Sequence, residues 1–89
     1  MKIKLELFGA SRDFSDKDHL EIEVQNKASI DDLRSEIIKY INNNFEGNEN
    51  FIKVVKSSAF CSENNEIISD NYKITKDQKI GIIPPIGGG

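Results

Sequence analysis

The stretch Ile80-Gly81-Ile82-Ile83, followed by Pro84-Pro85, constrains the fold more than any other part of the 89-residue chain. Isoleucine is β-branched and stiff at χ1, so the run favours a strand. It has no polar alternation, the pattern of a short strand buried on both faces, and such a strand is expected at the centre of a sheet. Neither proline can donate a ladder hydrogen bond, so pairing is expected to stop at Pro84 and the chain to leave the sheet extended. Ile86 comes next, and then Gly87, Gly88 and Gly89. Glycine has no Cβ and nothing to bury, so this end is expected to be thin, mobile and capped by a free carboxylate. Three glycines at one place arise by chance roughly a few times in ten thousand. The expected division is a folded domain over 1–83 and an extended tail over 84–89.

The other segments supply the neighbours of that strand. Ile3, Leu5 and Leu7 alternate with Lys2, Lys4 and Glu6, which predicts a half-buried first strand with Phe8 on its outer side. Ala10 to Phe14 has room for one helical turn with Phe14 tucked inward. Leu20, Ile22 and Val24 alternate with Glu21 and Glu23, predicting an antiparallel second strand. Ser29-Ile30-Asp31-Asp32 is a near relative of the capping box, and Ile30, Leu33, Ile37 and Ile41 form one helical stripe. The helix is expected to stop near residue 45, before Gly47. Val54-Val55 predicts an extended piece, residues 59–68 predict a hairpin, and Tyr72 and Ile74 are expected to be buried anchors. The order is strand, strand, helix, then three strands. That is an α+β layout with one main helix on one face of a mixed sheet of about five strands. A central last strand beside the first has to run parallel to it, the ubiquitin-like β-grasp arrangement.

Composition narrows the function. The formal net charge of −3 argues against nucleic acid as the main partner. No apolar stretch approaches the roughly 20 residues that span a bilayer, and the start alternates instead of forming a signal-peptide core, so no membrane partner is expected. Cys61 is the only cysteine, so an internal disulfide is impossible and a cytoplasmic location fits best. His19 is the only histidine and has no cysteine near it in sequence, so no metal site is expected. There is no phosphate loop and no Ser/His/Asp set, and the chain is not expected to be an enzyme on its own. The group with reactive potential is the Gly89 carboxylate. It is a poor acyl donor until activated, for instance as a mixed anhydride with AMP, after which sulfur, a thiol or an amine can attack it.

Ile82-Ile83-Pro84-Pro85-Ile86-Gly87-Gly88-Gly89 resembles the Pro-Pro-aliphatic-x-Gly-Gly terminus of the molybdopterin synthase small subunit. Phe8-Gly9-Ala10-Ser11-Arg12-Asp13-Phe14 is similar to that family's aromatic-Ala-x-x-Arg-Glu-Leu turn. Asp77-Gln78-Lys79 departs from the usual Asp-Gly-acidic turn, and residues 59–65 fit loosely. The resemblance implies a sulfur carrier of molybdenum-cofactor biosynthesis, in which Gly89 is adenylated and then thiocarboxylated. Gly87, Gly88, Pro84, Pro85 and Ile86 would be the inserting tail, and Phe8, Arg12 and Ile83 a partner surface. Two partners are implied: a ubiquitin-activating-type adenylating and sulfurating enzyme that uses ATP, and the large subunit, which binds the pterin in a heterotetramer. No cofactor is expected on this chain. A thiamin-pathway sulfur carrier, a ubiquitin-like protein modifier and a plain β-grasp binding module remain as alternatives.

Overall fold

The computed structural model of the protein describes residues 1–85. In chain order these form β1 (Lys2–Leu7), a 3-10 turn (Gly9–Phe14), β2 (His19–Glu23), α1 (Ile30–Asn44), α2 (Glu49–Ser57), β3 (Ala59–Cys61) and β4 (Gln78–Ile83). The strands lie in the order β2-β1-β4-β3. β1 is antiparallel to β2 and parallel to β4, with Leu5 opposite Leu20 on one side and Ile80 on the other. β3 pairs antiparallel with the far edge of β4. The last strand is therefore central, as its apolar run requires.

The inner face carries Ile3, Leu5, Leu7, Leu20, Ile22, Phe60, Ile80 and Ile82, all buried. α1 covers that face with Ile30, Leu33, Ile37 and Ile41, each without exposed surface. Its N-terminus is closed by reciprocal bonds: the Asp32 N–H donates to Ser29 Oγ at 3.1 Å and the Ser29 N–H to Asp32 Oδ2 at 2.9 Å. The helix ends at Asn44 with Phe45 as cap, where the asparagine run makes a poor helix interior.

Three expectations are corrected. The sheet has four strands among the described residues, not about five: Glu66 to Ile68 contributes one isolated bridge, Ile67 to Cys61, instead of a strand. Val54 and Val55 lie in a second helix, α2, not in an extended piece. Asn48 starts it by accepting from the N–H groups of Asn50 and Phe51 at 3.0 and 3.2 Å. Tertiary packing decides the outcome: Val55 is fully buried, and Phe51 sits 5.1 Å from the Phe14 ring and 5.0 Å from Phe45. Tyr72 is exposed, and its hydroxyl, which donates to Gln78 Oε1 at 2.9 Å, keeps it at the surface. Ile74 alone anchors that segment, bridging to Ala28.

Candidate functional site

The parallel pairing of β1 and β4 brings their C-terminal ends to the same end of the sheet. The turn after β1 therefore stands beside the root of the tail. Phe8 is still extended, and its N–H donates to Ser11 Oγ at 2.9 Å while that hydroxyl donates back to the Phe8 carbonyl at 2.7 Å. Ser11 is fully buried, so this closed pair locks the entry to the 3-10 turn. Gly9 has φ +55°, a region that favours glycine, and it faces Pro84: a Cβ built on Gly9 would lie 3.9 Å from two Pro84 ring carbons. Pro84 is buried and Pro85 exposed. Pro84, the first residue after β4, is thus buried beside the turn after β1.

Of the expected partner residues, Phe8 is 42% exposed, Ile83 is half-buried and Arg12 is exposed on the 3-10 turn. Alternation puts Phe8 and Ile83 on the outer face, away from α1. Ile86, Gly87, Gly88 and Gly89 lie outside the described residues.

Register adds residues that the sequence alone does not place here. Gly81 lies between Glu6 of β1 and Cys61 of β3, and Ala59 lies opposite Ile83. Ile67, 68% exposed, bridges to Cys61 and shares its side. Phe8, Gly81, Cys61, Ala59, Ile83 and Ile67 together make an apolar outer patch beside the tail root. One sequence signal points to it: glycine inside a β-branched run marks a close approach.

Charge borders this patch at the end remote from the tail. Lys79 Nζ meets Glu6 Oε1 at 2.9 Å, and the Lys79 N–H donates to Glu63 Oε1 at 3.0 Å. The hydrogen bond and charge of Glu6 raise the Lys79 pKa above the usual lysine value. His19 sits at the start of β2 with Nδ1 2.9 Å from Asp18 Oδ1. Among the described residues no cluster of three His, Cys, Asp or Glu side chains could hold a metal ion, and no helix is long and apolar enough to cross a membrane. Cys61 is buried. The outer face exposes apolar side chains, and the described residues bring no catalytic set together.

Comparison with known proteins agrees with this fold. Residues 5–89 match the model of the ThiS family. The chain belongs to the ThiS family, and it is a small ubiquitin-like sulfur-carrier domain. A candidate molybdopterin converting factor, subunit 1, from Pyrococcus furiosus superposes with a TM-score of 0.68 at 20% identity, covering 96% of this chain and 98% of that one. SAMP1 from Haloferax volcanii superposes with a TM-score of 0.67 at 13% identity, covering 100% of both chains. These likenesses establish the β-grasp fold. No curated protein matches the sequence.

Proposed function

We propose that this protein is the sulfur-carrying small subunit of a molybdopterin synthase, with the carboxylate of Gly89 as the group that is loaded. An adenylating enzyme of the ubiquitin-activating type would be the first partner. A Gly89 carboxylate oxygen attacks the α-phosphorus of ATP and pyrophosphate leaves. Sulfur at the oxidation level of sulfide then displaces AMP, which breaks the acyl–phosphate bond and forms the C–S bond of a thiocarboxylate. The second partner is the large subunit, which holds the pterin precursor. There the thiocarboxylate sulfur attacks a precursor carbon that carries an oxygen leaving group, the carbon–oxygen bond breaks as the C–S bond forms, and water then cleaves the acyl–sulfur bond to regenerate the carboxylate. A dithiolene has two sulfurs, so each product consumes two loaded tails. The chain supplies the acyl group and its partners supply the catalysis.

The observation that carries this reading is the tail root. A central strand ends at Ile83, Pro84 is buried beside Gly9, and the chain leaves beside the exposed Phe8. With Gly89 as the reacting end, four residues remain beyond Pro85, and at full extension they reach about 14 Å. A closed site acting on Gly89 would then open within that reach of Pro85, and the surface there that carries Phe8, Arg12 and Ile83 is the one it would meet. Family membership and the fold shared with the Pyrococcus furiosus protein support the same reading.

Deleting Gly89, or adding one residue after it, is expected to abolish molybdopterin formation in a reconstituted synthase and to leave the thermal unfolding of the carrier unchanged. Full activity from an extended, untrimmed chain rules the proposal out.

A further inference from the structure

Gly81 stands in the middle of a buried strand, where glycine is a poor choice: it weakens the strand and packs no side chain. The space above it explains its presence. A Cβ built on Gly81 would lie 2.9 Å from Cε2 of Phe8 and 2.8 Å from Sγ of Cys61, both closer than real contacts allow. The Phe8 ring therefore lies with one edge on the bare backbone of Gly81, and its remaining surface, 42% of the residue, faces outward. The ring is at once exposed and in close approach to the strand beneath it.

We propose that Gly81 is a positioning residue for docking: it is the seat that holds the Phe8 ring in the orientation the large subunit binds. The proposal rests on the reading above, in which the synthase large subunit covers the face around the tail root. An aromatic ring ordered before contact loses little conformational freedom on binding, and aromatic anchors of this kind dominate interface energetics. A methyl group at position 81 pushes against the ends of two side chains, not against backbone, so both can rotate away while the sheet stays intact. The methyl group consequently alters the docking face and not the fold.

The test is a double-mutant cycle on the full chain, with affinity for the molybdopterin synthase large subunit measured by calorimetry. Gly81→Ala is expected to weaken association about tenfold, to leave the melting temperature equal or slightly raised, and to shift the NMR resonances of the Phe8 ring and the Cys61 β-protons. In a Phe8→Ala background the same Gly81→Ala change is expected to do nothing further, because the ring it displaces is gone. If Phe8→Ala weakens association but Gly81→Ala does not, the seat is overturned while the docking face stands. An equal loss from Gly81→Ala with and without the Phe8 ring also overturns it, since the methyl group then acts by another route. If Phe8→Ala leaves association unchanged, the docking face itself is wrong and the seat falls with it.

Discussion

Ser29 and Asp32 show how much a pair of short polar side chains settles in a chain this small. Their reciprocal hydrogen bonds satisfy two backbone donors at the start of α1, the helix that covers the inner face of the sheet. The bond from the Ser29 N–H, with the Ser29 hydroxyl second, holds the Asp32 carboxyl below the usual carboxylate range. A carboxyl with a depressed folded-state pKa stabilises the fold above its unfolded pKa, and the contribution is lost as pH falls through the folded value. The melting temperature of wild type is therefore expected to exceed that of Asp32→Asn at pH 6, and the gap to close as pH falls below about 4. Ser29→Ala removes a cap acceptor and should cost about 1 kcal/mol in a denaturant titration. A gap between wild type and Asp32→Asn that persists at pH 2 would show that the carboxylate charge is not what the cap uses.

Among the elements, α1 and α2 mark where the sequence is legible and where it is not. Ile30, Leu33, Ile37 and Ile41 repeat at helical spacing behind a cap, and all four are buried where that spacing puts them. β1, β2 and β4 are equally plain, because alternation and an uninterrupted apolar run each have one structural meaning. In α2, neighbouring β-branched residues at Val54-Val55 and the adjacent Phe51-Ile52 blur the helical period and outweigh the start signal at Asn48. Only the assembled molecule shows why a helix forms: its Phe51 closes a tilted and edge-on aromatic cluster with Phe14 and Phe45, and Tyr40 donates to the Phe14 carbonyl at 2.7 Å. The outer patch is legible in part. Phe8 and Ile83 stand at strand ends where the sequence puts them, whereas Cys61, Ala59 and the role of Gly81 depend on a register that residues 50–70 do not reveal. α2 should therefore depend on the aromatic cluster. Phe14→Ala, at a fully buried position, is expected to lose about 3–5 kcal/mol and the half-buried Phe51→Ala about 2 kcal/mol in urea denaturation. A loss below about 0.5 kcal/mol for Phe51→Ala would show that α2 stands without the cluster.

At the scale of the whole molecule, the parallel β1–β4 pair makes the turn after β1 a support for the chain leaving β4. Pro84 is buried beside Gly9, and Pro85 is the first exposed residue beyond it. Two fixed φ angles and one buried ring give the tail a defined departure, which lowers the orientational entropy lost when it enters a deep pocket. A single dedicated acceptor benefits from that more than a set of dissimilar lysines does. Replacing both residues, Pro84→Gly with Pro85→Gly, is expected to leave the fold in place at a cost of about 1 kcal/mol, from greater freedom in the unfolded chain and the lost packing on Gly9. Under the proposed function it should slow sulfur transfer to the pterin precursor more than it slows adenylation, because an adenylating site would have to release the tail again while a synthase site would have to hold it in register. Paired single-turnover rates for the two half-reactions, wild type against the double variant, measure the difference. Equal slowing of both, or of neither, would remove the proline pair from any positioning role. Lysine-linked adducts of the chain in cells would point instead to a modifier, for which a loose arm serves as well as a stiff one.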